Sequence, residues 1–250
     1  MFDVNRIDRW MDRRRAQGMI SIFFLLFGLI AVFPEADAMN TVERPHVFSR
    51  HVVIPVLGTT LNDRREQIGV VADVYVSFIR RDDRHGLNIR FDVFPGQFSR
   101  RAQHAVTTAV RLVAERAGLD PRSWSVRFTL PYEGVTLYGE SLSAMAALAV
   151  IALAKNEAIR RDTVITGTVM PNGTIGVVGG VPLKIAAAHR RHFRRVLIPE
   201  EQDVADGDWR TPFLMQISPM HSIADAYFAL TDHPFSSSAL HTQLAATLAP

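Results

Sequence analysis

Apolar side chains alternate with other residues through 70–78, and a polar stretch fills 80–86. Leu87, Ile89, Phe91 and Val93 then alternate with Asn88, Arg90 and Asp92. A period of two puts one set of side chains on a buried face, so the pair predicts a β-hairpin. The period then changes: Phe98, Ala102, Ala105, Val106, Ala109, Val110 and Val113 fall at helical spacing, and Gly118 stops that helix. Val126, Phe128 and Leu130 alternate again, and Pro131 ends their strand. A loop over 131–140 leads into a run from Ser141 to about Asn156 that is apolar on every side. That pattern predicts a helix buried all round.

The stretch TVITGTVMPNGTIGVVGG reads as a second hairpin turning at Asn172-Gly173. Pro182 then opens a helix that runs to the basic HRRHFRR, a solvated helix end. VLIP and FLMQIS are two more strands, and Ser222 with Asp225 forms a capping box for a last helix. Residues 39–66 are mostly polar with one β-like run, HVVIPVL, and read as a lead-in; 231–250 read as a C-terminal tail. Between them, 67–230 mix strands and helices without a regular βαβ rhythm or an internal repeat. This predicts a compact α+β domain with a mixed sheet and packed helices.

The N-terminus follows another logic. Arg6, Arg9, Arg13, Arg14 and Arg15 precede the apolar stretch 19–33, which is followed by Pro34 and Ala36-Asp37-Ala38. Fifteen apolar residues rise about 22 Å as a helix, short of the roughly 30 Å hydrocarbon core. Residues 1–38 therefore read as a signal peptide with an A-x-A site, or as an uncleaved N-terminal anchor that associates with the membrane through 19–33. The expected location is the cell envelope. A cleaved chain would be periplasmic or secreted, and an anchored one would sit in the inner membrane with its domain outside the cytoplasm.

Composition narrows the chemistry. The 250 residues are 48 % hydrophobic, enough for a real core, and carry a formal charge of +3. The basic residues are scattered and no aromatic-basic module occurs, which argues against nucleic acid as a partner. The chain has no cysteine, which excludes a thiolate nucleophile, a disulfide framework and a cysteine metal site. No metal or cofactor motif is present, and the glycines of 173–180 lack the G-x-x-x-x-G-K-[ST] pattern of a phosphate loop.

All but two of the 28 Lys and Arg residues are arginine; the exceptions are Lys155 and Lys184. Lysine differs from arginine in being able to give up its proton. Lys155 closes the apolar run beside Asn156 and Glu157, where a solvated cation suits a helix C-terminus. Lys184 lies among Val181, Leu183 and Ile185, one turn into a helix. Burial and the positive end of the helix dipole both lower its pKa, and a neutral amine is a competent general base.

Ser141 and Ser143 stand at the mouth of the apolar helix, where serine is a preferred N-cap. Amide groups at a helix N-terminus also stabilise an oxyanion, and a Ser-Lys pair is a variant of the serine nucleophile arrangement that needs no histidine.

Three motifs in register resemble the proteolytic domain of Lon proteases: Gly139-Glu140-Ser141, Thr166-Gly167, and Gly179-Gly180-Val181-Pro182-Leu183-Lys184. The similarity covers roughly 67–230 and is most specific over 124–200. The resemblance implies a serine endopeptidase acting on polypeptides, with Ser141 (not Ser143) as nucleophile, Lys184 as general base and then acid, and Thr166 orienting the lysine. The 43 positions from 141 to 184 agree with the family spacing. A homo-oligomeric ring is a further implication.

The sequence departs from the family where its usual P-S-A-G becomes Glu140-Ser141-Leu142-Ser143, and where Tyr138 replaces an acidic residue. A catalytically silent Lon-like domain used in binding or assembly is the main alternative. An α/β-hydrolase esterase is the other, since GESLS is one residue from G-x-S-x-G, but that elbow needs a strand running straight into the serine.

Overall fold

The computed structural model describes residues 48–207 and 210–236. The signal or anchor segment 1–38 and most of the tail lie outside the described residues. Among the described residues the fold is α+β, with four helices and mixed sheets.

Three strands come first. β1 (Phe48–Leu61) and β2 (Gln67–Arg80) pair antiparallel along their whole length, from Phe48 opposite Arg80 to Leu61 opposite Gln67. β3 (Asn88–Phe91) lies elsewhere in the same sheet. The segment expected to be a lead-in therefore supplies, over 48–61, an edge strand of the main sheet. Its Pro55 is tolerated there because the outer side of an edge strand needs no backbone donor.

The expected hairpin of β2 with β3 does not form. β5 (Trp124–Thr129) lies between them, antiparallel to β2 and parallel to β3, giving the order β1-β2-β5-β3. The buried alternation Trp124, Val126 and Phe128 accounts for that central position. Phe128 stacks on Phe91 with ring centroids 5.2 Å apart, and Trp124 meets Phe78 edge-on at 5.4 Å.

β4 (Gln97–Phe98) leads into α1 (Arg100–Arg116), whose N-cap Ser99 accepts a bond from the Ala102 amide. β6 (Thr136–Leu137) pairs with β4. α2 (Ser143–Lys155) follows, and every residue from Ser143 to Ala154 is buried, as expected of a helix apolar on all sides. It packs against α1, β1 and β2. Each such Leu, Ile or Met contributes about 1.5–3 kcal/mol by leaving water.

Lys155 is not a solvated helix end. Asn156 turns the chain at φ 64°, so that Glu157 comes back to pair with Lys155 at 2.9 Å. The ammonium also donates to Pro234 O at 2.8 Å and lies 4.7 Å from the centre of the Tyr227 ring.

The second half carries a parallel three-stranded sheet, β11-β10-β7, built from β7 (Thr163–Ile165), β10 (Arg195–Pro199) and β11 (Gln216–Met220). Only the tip of the expected second hairpin forms, from β8 (Thr168–Val169) and β9 (Ile175–Gly176). The Gly173 amide bonds Met170 O, so Pro171 and Asn172 are the central turn residues and Gly173 follows at φ 86°. α3 (Val181–Arg190) crosses from β9 to β10 and packs on β2 and β1. The basic end of α3 is partly engaged: Arg190 bonds Gly69 O, and Arg191 pairs with Asp73 at 3.2 Å. Of FLMQIS, Phe213 and Leu214 are exposed and the strand begins at Gln216. α4 (Ile223–Thr231) is capped by Ser222, whose hydroxyl accepts from the Asp225 amide.

Candidate active site

Ser141 sits in the turn before α2, between β6 and the helix, and is half-buried. Among the described residues no side-chain bond caps the N-terminus of α2, so neither Ser141 nor Ser143 serves there as the hydroxyl cap. Ser143 is 2 % exposed and belongs to the core, as does Leu142 at 3 %. Glu140 turns outward and pairs with Arg101 of α1 at 2.8 Å, and Tyr138 is exposed. Both residues line the rim of a cavity of about 900 Å³ whose wall includes Ser141.

Lys184 lines the same cavity. It is only 3 % exposed, so it is not a cation reaching into solvent from a helix end. Burial lowers its pKa from 10.5 to about 8, and Asp206 partly opposes that fall. Around the two polar groups the wall is largely apolar, with Leu57, Val70, Leu137 and Val178 contributing.

Two backbone bonds tie the serine turn to the segment after β7: Gly167 N donates to Ser141 O at 3.0 Å, and Ala144 N to Gly167 O at 3.2 Å. Thr166, one residue earlier, bonds Leu197 O through its amide, so the Thr166-Gly167 pair bridges β10 and the turn before α2. Its side chain is buried, and Oγ1 has no hydrogen-bond partner among the described residues. Among the described residues no hydrogen bond joins Ser141 Oγ to Lys184 Nζ, or Thr166 Oγ1 to Lys184. Ser141 and Lys184 share the cavity wall; Thr166 is not among the residues that line it.

The geometry narrows one feature that the sequence pattern raised, the amides at the helix N-terminus, and adds one that it did not. Ser143 N is committed to Glu140 O, and Ala144 N to Gly167 O. The amides of Ser141 and Leu142 make no hydrogen bond among the described residues, which leaves them as donors beside the serine hydroxyl. Asp206 caps α3 from a distant loop: its two carboxylate oxygens accept from Gly180 N at 2.8 Å and Val181 N at 2.9 Å. Its partners lie more than twenty residues earlier, so no local sequence signal marks it.

The arrangement suits acyl transfer: a serine, a buried amine with its pKa lowered to about 8, and amides without a partner among the described residues share one apolar cleft. Among the described residues no group of three or more His, Asp or Glu is placed to hold a metal. No strand runs directly into Ser141, since Tyr138, Gly139 and Glu140 separate it from β6, and this counts against the hydrolase elbow.

The Lon protease (S16) C-terminal proteolytic domain matches residues 96–224. The chain is 31 % identical to the archaeal Lon protease of Methanocaldococcus jannaschii over 147 residues, which is 53 % of this chain and 21 % of that protein. It is 34 % identical to Lon protease 2 of Sorangium cellulosum over 113 residues, 43 % of this chain and 14 % of the relative. It is 25 % identical to the Lon protease of Mycolicibacterium smegmatis over 199 residues, 76 % and 25 % of the two chains. The chain thus spans a quarter or less of the length of these relatives. With the proteolytic-domain match covering more than half of its residues, the chain belongs to the Lon S16 proteolytic domain family, a family of serine-type endopeptidases.

Proposed function

We propose that the chain is an exported or membrane-anchored serine endopeptidase that hydrolyses polypeptides with Ser141 and Lys184. Neutral Lys184 takes the Ser141 proton as Oγ attacks the peptide carbonyl, and the Ser141 and Leu142 amides hold the oxyanion. The resulting ammonium protonates the leaving amine. Water then attacks the acyl carbonyl as it gives a proton to the lysine; the bond from carbon to Ser141 Oγ breaks, the lysine returns the proton to Oγ, and the acyl group leaves as a carboxylic acid. The orphaned Thr166 hydroxyl orients the lysine, and a buried hydroxyl without a partner is suited to a role taken up only when substrate closes the site. Export rests on the arginine-rich segment before 19–33, and homo-oligomeric ring assembly on family membership.

The observation that carries this reading is the shared cavity: Ser141 and a lysine shifted to about 8 line the same wall. Catalytic hydrogen bonds in unliganded sites are often long and tighten only around substrate. The absent Oγ–Nζ bond also favours a second reading, a silent domain used for binding or assembly. Labelling with a serine-directed fluorophosphonate separates the two. Modification at Ser141, lost in Ser141→Ala and kept in Ser143→Ala, supports the peptidase. Intact folded protein that stays unlabelled supports the silent domain.

A further inference from the structure

Helix α3 begins without a capping side chain of its own. Its first residues are Val181, Pro182 and Leu183, and its N-cap, Gly180, stands at φ 70°. Two amides at that end are instead satisfied by the carboxylate of Asp206, one by each oxygen, at 2.8 and 2.9 Å. The same loop brings Asp203 against Gly179, where a Cβ would stand 3.3 Å from Oδ2. The Gly179-Gly180 turn and the lysine one helical turn later are therefore held by a loop that is not part of the cavity wall.

Charge reinforces the geometry. The elements packed around Lys184 carry Asp73 on β2, paired with Arg191, and Arg195 on β10, bonded to Ser218. β1 carries His51, which is exposed, and α3 itself carries His189 and Arg190. The serine loop carries Glu140, paired with Arg101. Of all these charged groups, Asp206 is the one whose field opposes the effect of burial on Lys184.

We propose that Asp206 is a positioning residue for the reaction: it caps the lysine helix from outside, fixes the direction in which Lys184 enters the cavity, and sets the charge facing its amine. The proposal rests on the Ser141–Lys184 reading for its catalytic consequence, and on the cap geometry alone for its effect on the lysine. Asn replaces the charge while keeping a capping oxygen; Ser keeps a shorter one; Ala removes both.

The chain has two lysines, so reductive ¹³C-methylation of the full-length protein gives two resolvable lysine signals, with Lys155 as internal control. In Asp206→Asn the Lys184 titration moves to lower pH and that of Lys155 stays in place. The acid limb of peptidase activity moves down with Lys184. Asp206→Ser behaves alike and serves if the Asn variant does not fold. Asp206→Ala loses roughly 2–4 °C of Tm as well, as expected for a lost cap in a domain of this size. Asp203→Asn leaves the Lys184 titration unmoved. A folded Asp206→Asn or Asp206→Ser protein in which Lys184 titrates as in the wild type overturns the proposal. A Lys184 signal that shifts while Lys184→Arg remains active refutes the dyad instead and leaves the Asp206 contact standing.

Discussion

The carbonyl of Leu183 occupies the place a side chain on Gly69 would take: a Cβ built there stands 1.8 Å from Leu183 O. β2 and α3 thus touch backbone to backbone, one residue before Lys184. Nothing wider than a hydrogen fits between them, and the obstructing atom is main chain, which cannot swing aside as a flexible side chain does. The depth at which the lysine enters the cavity is set by this contact below and by Asp206 at the helix end.

Gly69→Ala should therefore push α3 off the sheet. The expected cost is about 1–3 kcal/mol or more, the range for overpacking a tight core, with a larger relative loss in kcat than in substrate binding. Denaturant unfolding and steady-state peptide hydrolysis measure the two effects. An Ala variant with wild-type stability and activity would mean that α3 rides over β2 without fixing the lysine.

Local patterns were legible where structure is local. α1 and α2 follow from the spacing of their apolar positions, and the turn of Ser222 with Asp225 from its capping chemistry. Pairing between distant segments was not. β3 reads as the partner of β2, yet β5 takes that place because its Trp124, Val126 and Phe128 must be covered on the sheet face. β1 was hidden by Pro55 and its polar flanks, which an edge strand accepts. The site divides the same way: Ser141 and Lys184 stood out by residue type and register, while Asp206 reaches its partners across 26 and 25 positions.

A buried lysine is also a stability statement. Its folded pKa of about 8 lies below the ordinary 10.5, so between these values the unfolded chain binds more protons and stability rises with pH. The penalty is complete below about pH 8 and is gone above about 10.5, with a size of roughly 3 kcal/mol. Lys184→Met should be more stable than the wild type near pH 7, by up to about that amount, and the advantage should shrink as pH rises through this window. Urea unfolding of both proteins at pH 7 and pH 10 tests it. A difference that does not change with pH would show that the lysine is charged and well solvated in the folded protein.

The export reading makes a separate prediction. Residues 1–45 fused to a reporter that functions only outside the cytoplasm should give signal, because five arginines precede the apolar segment 19–33. Replacing Phe23, Phe24, Leu25 and Leu26 with polar residues should abolish that signal. A fusion that is silent although expressed would remove both the signal peptide and the anchor.

Lys184→Arg puts the dyad at greatest risk. Arginine is the cation this chain uses almost everywhere, so a purely structural charge at 184 should survive the exchange with small loss. A general base should not. The guanidinium holds its proton at any pH the protein tolerates, so it cannot accept one from Ser141 Oγ, and hydrolysis should fall by about 10²- to 10⁴-fold, the range for lost acid–base catalysis. The larger head must also fit a side chain that is now 3 % exposed, so circular dichroism and Tm must accompany the kinetics. Two results separate chemistry from misfolding. Fluorophosphonate labelling of Ser141 should slow together with turnover in the folded variant. The fall in rate should persist at pH 9, where more of the wild-type lysine is neutral and its own rate is higher. A folded Lys184→Arg protein that hydrolyses peptides at a near wild-type rate would assign the base to another group.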